Sequence, residues 1–101
     1  MNFQIGEDAS GVYVRISGDL DFAANTEFKA IVTKLAGMKG RPVTLDLAGV
    51  NRIDSVGLGL LYIVKEEVGA SGNKIRLKSP QKSVMKMLEL TEAGTDFDIQ
   101  P

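Results

Sequence analysis

At 101 residues, with 12 basic and 13 acidic side chains and a formal net charge of −1, the chain is the size of one domain, residues 1–101, able to bury a core without staples. That charge balance offers no electrostatic footprint for nucleic acid or an anionic membrane. Cysteine and histidine are absent, which removes disulfides, thiol chemistry, metal sites built on Cys or His, and the usual base of a serine hydrolase.

Asn2–Ile5 reads as a short strand, ended by Gly6-Glu7-Asp8 and a turn at Ser10-Gly11. Val12, Val14 and Ile16 then alternate with Tyr13, Arg15 and Ser17, the period of a half-buried strand, so the first two strands form a hairpin. Gly18–Asp21 breaks the pattern. In the helix that follows, Phe28, Ile31, Val32 and Leu35 recur at helical spacing, with Asn25 or a neighbour as cap and Gly37 at the end. Pro42–Leu47 is a third strand, and a second helix covers about Val56–Val68, stopping near Gly69 or Gly72. Ile75 and Leu77 alternate with Lys74, Arg76 and Lys78 in a fourth strand. Ser79-Pro80 supplies an N-cap and a first-turn proline for a helix to Leu90, which offers Val84, Met87 and Leu88 to the core and is closed by Gly94. Asp96–Ile99 is a last strand. The order β-β-α-β-α-β-α-β predicts an α/β domain with a mixed, mostly parallel sheet. Alternation in every long strand predicts helices mainly on one face and a polar opposite face.

The chain converges on Arg52–Val64, which the third strand enters through Ala48-Gly49-Val50-Asn51. Ser55 sits where an N-cap belongs. Gly57 and Gly59 each cost a helix roughly 1 kcal/mol against alanine, so two in one turn predict a close approach to this backbone. On a helical wheel Gly57, Leu60, Leu61, Val64 and Val68 form the core stripe. Leu58, Gly59, Tyr62 and Ile63 fall mostly on the outer side, where a solvated helix carries charge. Such a patch is a helix buried on both sides, ordinary surface apolar residues, or a docking surface. Catalytic motifs are not found. Ile53 stands at the first glycine position of a nucleophile elbow around Ser55, Tyr62 stands at the third glycine of a dinucleotide fingerprint, and no P-loop occurs. The expectation is a protein that is not an enzyme and folds without metal, nucleotide or covalent cofactor. The longest nearly uncharged apolar run, Val56–Val64, is far short of the roughly 20 residues a membrane span needs. Met1–Asp8 lacks the basic and apolar regions of a secretory signal, so the expected setting is cytoplasmic.

Asp54-Ser55-Val56-Gly57-Leu58-Gly59, after an apolar strand and opening an apolar helix, resembles the signature of the STAS domain family. The pattern is most similar to that of the bacterial anti-sigma factor antagonists. Ser17-Gly18-Asp19-Leu20-Asp21 is similar to the family's Gly-Glu-Leu-Asp segment, and Met87–Gly94 to its closing helix and following glycine. The resemblance covers essentially the whole chain and implies a STAS-like single domain. It implies that Ser55, directly after the aspartate, is phosphorylated by a partner kinase of the ATP-binding anti-sigma type. The unmodified protein would bind that anti-sigma factor serine kinase and free a sigma factor, and a PP2C-type phosphatase would reset the switch. It further implies partner contacts around Asp21, Asp54, Val56, Gly57, Leu58, Gly59 and Tyr62, with Asp54 shaping the loop. Two departures stand out: Val56 is larger than the small or hydroxyl residues common at its position, and Ala24 replaces a frequent Ser or Thr. On the residues alone, Ser55 also reads as a plain helix cap and Asp21 as a turn carboxylate. The resemblance also admits an unswitched STAS subunit of a lipid-transport ABC complex or a signalling scaffold. A small-molecule carrier ranks last, for want of a cofactor motif.

Overall fold

The computed structural model describes residues 1–38, 40–68 and 75–101. Among them are five strands, β1 Asn2–Asp8, β2 Gly11–Leu20, β3 Val43–Ile53, β4 Arg76–Lys78 and β5 Asp98–Gln100, and three α-helices, α1 Asn25–Ala36, α2 Ser55–Val68 and α3 Lys82–Leu90. The strands form one sheet in the order β1-β2-β3-β4-β5, in which only β1 and β2 are antiparallel. Element order and mixed sheet are those the sequence predicts.

β1 runs to Asp8 instead of ending at Ile5. Gly6 does not break it, because Gly6 faces Tyr13 across the ladder and a Cβ there would lie 2.2 Å from the Tyr13 hydroxyl oxygen. The turn is Ala9-Ser10, closed by the Asp8 carboxylate, which accepts the Ser10 N–H at 2.8 Å and its hydroxyl at 2.6 Å.

β2 and β3 also outrun their predicted ends, and the reason is an irregular register. The β2–β3 ladder shifts between Arg15 and Ser17 and again between Gly18 and Asp19. Gly49 sits at the first shift, where a Cβ would lie 2.9 Å from the Ser17 Cβ and 3.0 Å from the Ile16 carbonyl oxygen. Around it the buried positions of β3 come as Leu47, Val50 and Ile53, so strict alternation is lost while the pairing continues.

The capping expectations on either side of the sheet need correction. Asn25 does not cap α1; the helix grows from a 3-10 turn at Phe22–Ala24, whose cap is Asp21, accepting the Ala23 N–H at 3.0 Å. Ser79 does not cap α3. It has φ 55°, and its N–H donates to the Gln100 carbonyl at 2.7 Å, so the helix begins only at Lys82. The start of α3 is instead pinned to β3 by the Gln81 amide on the Ala48 carbonyl (2.8 Å) and the Ser83 hydroxyl on the Asn51 carbonyl (3.1 Å). α3 stops at Leu90, and Gly94 lies in a separate 3-10 turn, Ala93–Thr95, ahead of β5. The predicted stop of α2 at Gly69 or Gly72 and the strand position of Lys74 lie outside the described residues.

All three helices contribute to one core with the sheet: Phe28, Ile31 and Leu35 from α1, Leu60, Leu61 and Val64 from α2, and Val84 and Leu88 from α3 are buried against Val14, Ile16, Leu45, Leu47 and Leu77. Met87 is only half-buried. On the opposite face Tyr13, Arg15, Thr44, Asp46, Arg76 and Lys78 line an open polar hollow, as the alternation predicts. No helix among the described residues is long and apolar enough to cross a membrane.

Candidate partner-binding site

α2 leaves the sheet after a single connecting residue. β3 pairs with β2 up to Leu20–Ile53, and the next N–H, that of Asp54, still donates to the Leu20 carbonyl at 3.3 Å. Asp54 is therefore the last extended residue and the N-cap. Its Oδ1 accepts the Gly57 N–H at 2.8 Å, and its carbonyl accepts the Leu58 N–H at 2.9 Å. The cap expected at Ser55 belongs to its neighbour, and Ser55 is the first helical residue, exposed, with a hydroxyl that capping does not use. Asp54→Ala is expected to cost about 1 kcal/mol in urea denaturation, the usual loss for a side-chain cap.

The glycine pair divides its work. Gly57 points inward, where a Cβ would lie 1.9 Å from the Leu20 carbonyl oxygen, so the close approach is made by β2. Gly59 points outward with nothing within 4 Å. The wheel's core stripe is confirmed residue by residue: Gly57, Leu60, Leu61, Val64 and Val68 are all buried.

The predicted outer patch is only partly free. Leu58 packs half-buried against the core. Tyr62 donates its hydroxyl to Asp96 Oδ2 at 2.6 Å and sets its ring edge-on to Phe97, with centroids 5.0 Å apart. That hydrogen bond first, then desolvation and the Asp96 charge, holds the phenol above its usual range. Of that patch Gly59 and Ile63 remain, Ile63 47% exposed, and Val56, which the wheel did not place there, joins them at 45%. Phe22, which no sequence pattern singles out, is 76% exposed on the 3-10 turn beside α2. Its only signal was an aromatic side chain following a turn carboxylate. Ile63 also forms the lip of a groove of about 400 Å³ between α1 and α2, floored by Phe28, Val32 and Leu60 and flanked by Lys29 and Glu67.

Below the tip of α2, Asp19, Leu20, Asp21, Arg52, Ile53 and Asp54 surround a cleft of about 290 Å³. Asp54 and Asp21 are engaged as caps, and Asp19 pairs with Arg52 at 3.2 Å. The structure thus gathers Asp21, Asp54, Val56, Gly57, Leu58 and Gly59 at one end of the molecule, with Tyr62 one turn further along α2. Among the described residues no group of three or more His, Cys, Asp or Glu is placed to hold a metal ion.

Fold and site together define a small α/β domain with a five-stranded mixed sheet, whose distinctive end is a helix tip carrying an exposed serine. The sequence matches the STAS domain family over residues 2–101, and the chain belongs to that family. A STAS-domain containing protein of Pseudomonas aeruginosa strain UCBPP-PA14 is 26% identical over 92 residues, covering 91% of this chain and 90% of the relative. Among solved structures, an anti-sigma factor antagonist from Mycobacterium paratuberculosis aligns with TM-score 0.86 at 18% identity, over 99% of this chain and 85% of that one. The anti-sigma factor antagonist SpoIIAA in its unphosphorylated form aligns with TM-score 0.78 at 22% identity, over 99% and 89%. The phosphorylated form of the Bacillus cell fate determinant SpoIIAA gives 0.71 at 20%, over 99% and 92%. The structural neighbours thus share the fold.

Proposed function

We propose that this protein is a phosphorylation-switched anti-sigma factor antagonist, a cytoplasmic binding module without catalysis of its own. Unmodified, it docks on an anti-sigma factor serine kinase through the tip and outer face of α2, and a sigma factor is released. The observation that carries the reading is the position of Ser55: Asp54 does the capping, so an exposed, uncommitted hydroxyl heads the helix beside the Val56–Gly59–Ile63 patch. In the transfer, the Ser55 oxygen bonds to the γ-phosphorus of ATP, the bond to the β-phosphate oxygen breaks, ADP departs and the hydroxyl proton goes to the kinase. A PP2C-type phosphatase hydrolyses the ester and restores the binding form. That a protein of this fold has been solved both with and without phosphate supports the assignment.

The direct test is incubation with ATP and a candidate anti-sigma factor serine kinase from the same organism, read by intact mass and phosphosite mapping. One phosphoryl group on Ser55, absent from Ser55→Ala, is expected. Modification elsewhere, or none, would leave an unswitched STAS subunit of a transporter or scaffold as the better account. The docking face has its own check. Ile63→Glu and Phe22→Ala should each weaken kinase binding by about 1–2 kcal/mol or more in calorimetry while the melting temperature holds, because both side chains are exposed hydrophobic anchors. Normal binding by both variants would move the interface elsewhere.

A further inference from the structure

Among the described residues, Arg52 is the only cationic side chain lining the cleft beneath the α2 tip, and its pairing there is weak. The Arg52–Asp19 pair spans 3.2 Å with side chains 76% and 39% exposed. Exposed pairs of this kind contribute about 0–1 kcal/mol, so the guanidinium is easily drawn away. The other carboxylates around the cleft are held by backbone: Asp54 on the Gly57 N–H and Asp21 on the Ala23 N–H. Ser55 follows Arg52 by three residues, a span of at most ~11 Å even fully extended, and shorter here because the chain turns at Asp54 from strand into helix.

Resting on the reading of Ser55 as the acceptor, we propose that Arg52 is the switch's internal receiver: when Ser55 is phosphorylated, Arg52 leaves Asp19 and pairs with the phosphate. A phosphate brings about −1.5 to −2 charges and three acceptor oxygens, and a guanidinium meets it with two parallel N–H donors. Against one exposed carboxylate, the phosphate wins. The exchange has a second effect across the cleft. Asp19, at the end of β2, loses its counter-charge and stands bare beside Asp21. A modification on α2 is thereby written onto β2 as well, and the partner meets two altered elements although only one residue carries the ester.

The test installs phosphoserine at position 55 by genetic-code expansion, so it does not depend on any kinase, and follows the phosphate by phosphorus NMR against pH. In the otherwise wild-type protein the second phosphate ionisation should fall below its ordinary value near ~6. In Arg52→Gln it should rise by about half a unit, the scale of one exposed charge contact, with Arg52→Lys in between. Arg41→Gln, which breaks the Glu7 pair at another edge of the sheet, should leave it unchanged. Equal ionisation in the wild-type and Arg52→Gln phosphoproteins would overturn the receiver role. A kinase that ignores Ser55 would instead sink the functional reading, a separate result from a separate assay.

Discussion

Gly57→Ala is expected to destabilise the protein by about 2 kcal/mol, while Gly59→Ala, two residues along the same helix, stabilises it by about 0.5–1 kcal/mol. Both substitutions gain helix propensity of up to ~1 kcal/mol. They differ in what the new methyl meets. At position 57 it would lie 1.9 Å from the Leu20 carbonyl oxygen and 2.6 Å from its carbonyl carbon, backbone atoms that can yield only if α2 lifts off β2. Overpacking of this kind costs roughly 1–3 kcal/mol and exceeds the propensity gain when the obstacle is main chain. At position 59 nothing lies within 4 Å, so the propensity term acts alone. Chemical denaturation of the pair gives the answer in one experiment. A Gly57→Ala protein as stable as wild type would mean that α2 is not seated on Leu20.

The second large effect concerns Ser55. Its phosphorylated form should melt within a few degrees of the unmodified protein yet bind the kinase at least ~30-fold more weakly. The fold tolerates the charge because the first turn of α2 presents N–H groups and the positive end of the helix dipole, favourable by about 0.3–1 kcal/mol, against which Asp54 next door sets some repulsion. Binding does not tolerate it. The phosphate enters an apolar contact beside Val56, where its oxygens lose water and the docked surface offers them no donor, a loss that pairing with the exposed Arg52 within the protein does not offset, for a penalty of about 2 kcal/mol or more. Ser55→Ala should stay folded and permanently binding-competent, and Ser55→Asp, with a single charge, should show a partial defect. Undiminished binding by the phosphoprotein would remove the switch.

The parts legible in the sequence were those decided by local periodicity. The stripe Gly57, Leu60, Leu61, Val64 and Val68 is buried as the wheel placed it, because one core face at helical spacing admits one orientation. Alternation located the first half of β3 and failed at Gly49, where the bulge changes which residues face inward while the hydrogen-bonded ladder goes on. The cap was off by one residue because Asp54 and Ser55 are equally good caps; the choice depends on where β2 stops pairing with β3, which is not local information. Tyr62 faced outward on the wheel, but its hydroxyl is met by Asp96, 34 residues away. Phe22 lies outside any periodic element, so its exposure became visible only once the 3-10 turn had been placed against α2.

The seat of α2 on the Leu20 carbonyl bears on timing. Where the first turn of a helix rests backbone on backbone, no side chain lies between them to repack, and a second position would cost as much as breaking the contact. The tip therefore has no slow rearrangement to wait for. With Ser55 as the proposed switch, a partner arriving at this edge would find the same backbone before and after modification, with only side chains rearranged, so signal lifetime would be set by how long the complex lasts and how fast the phosphate is added or removed.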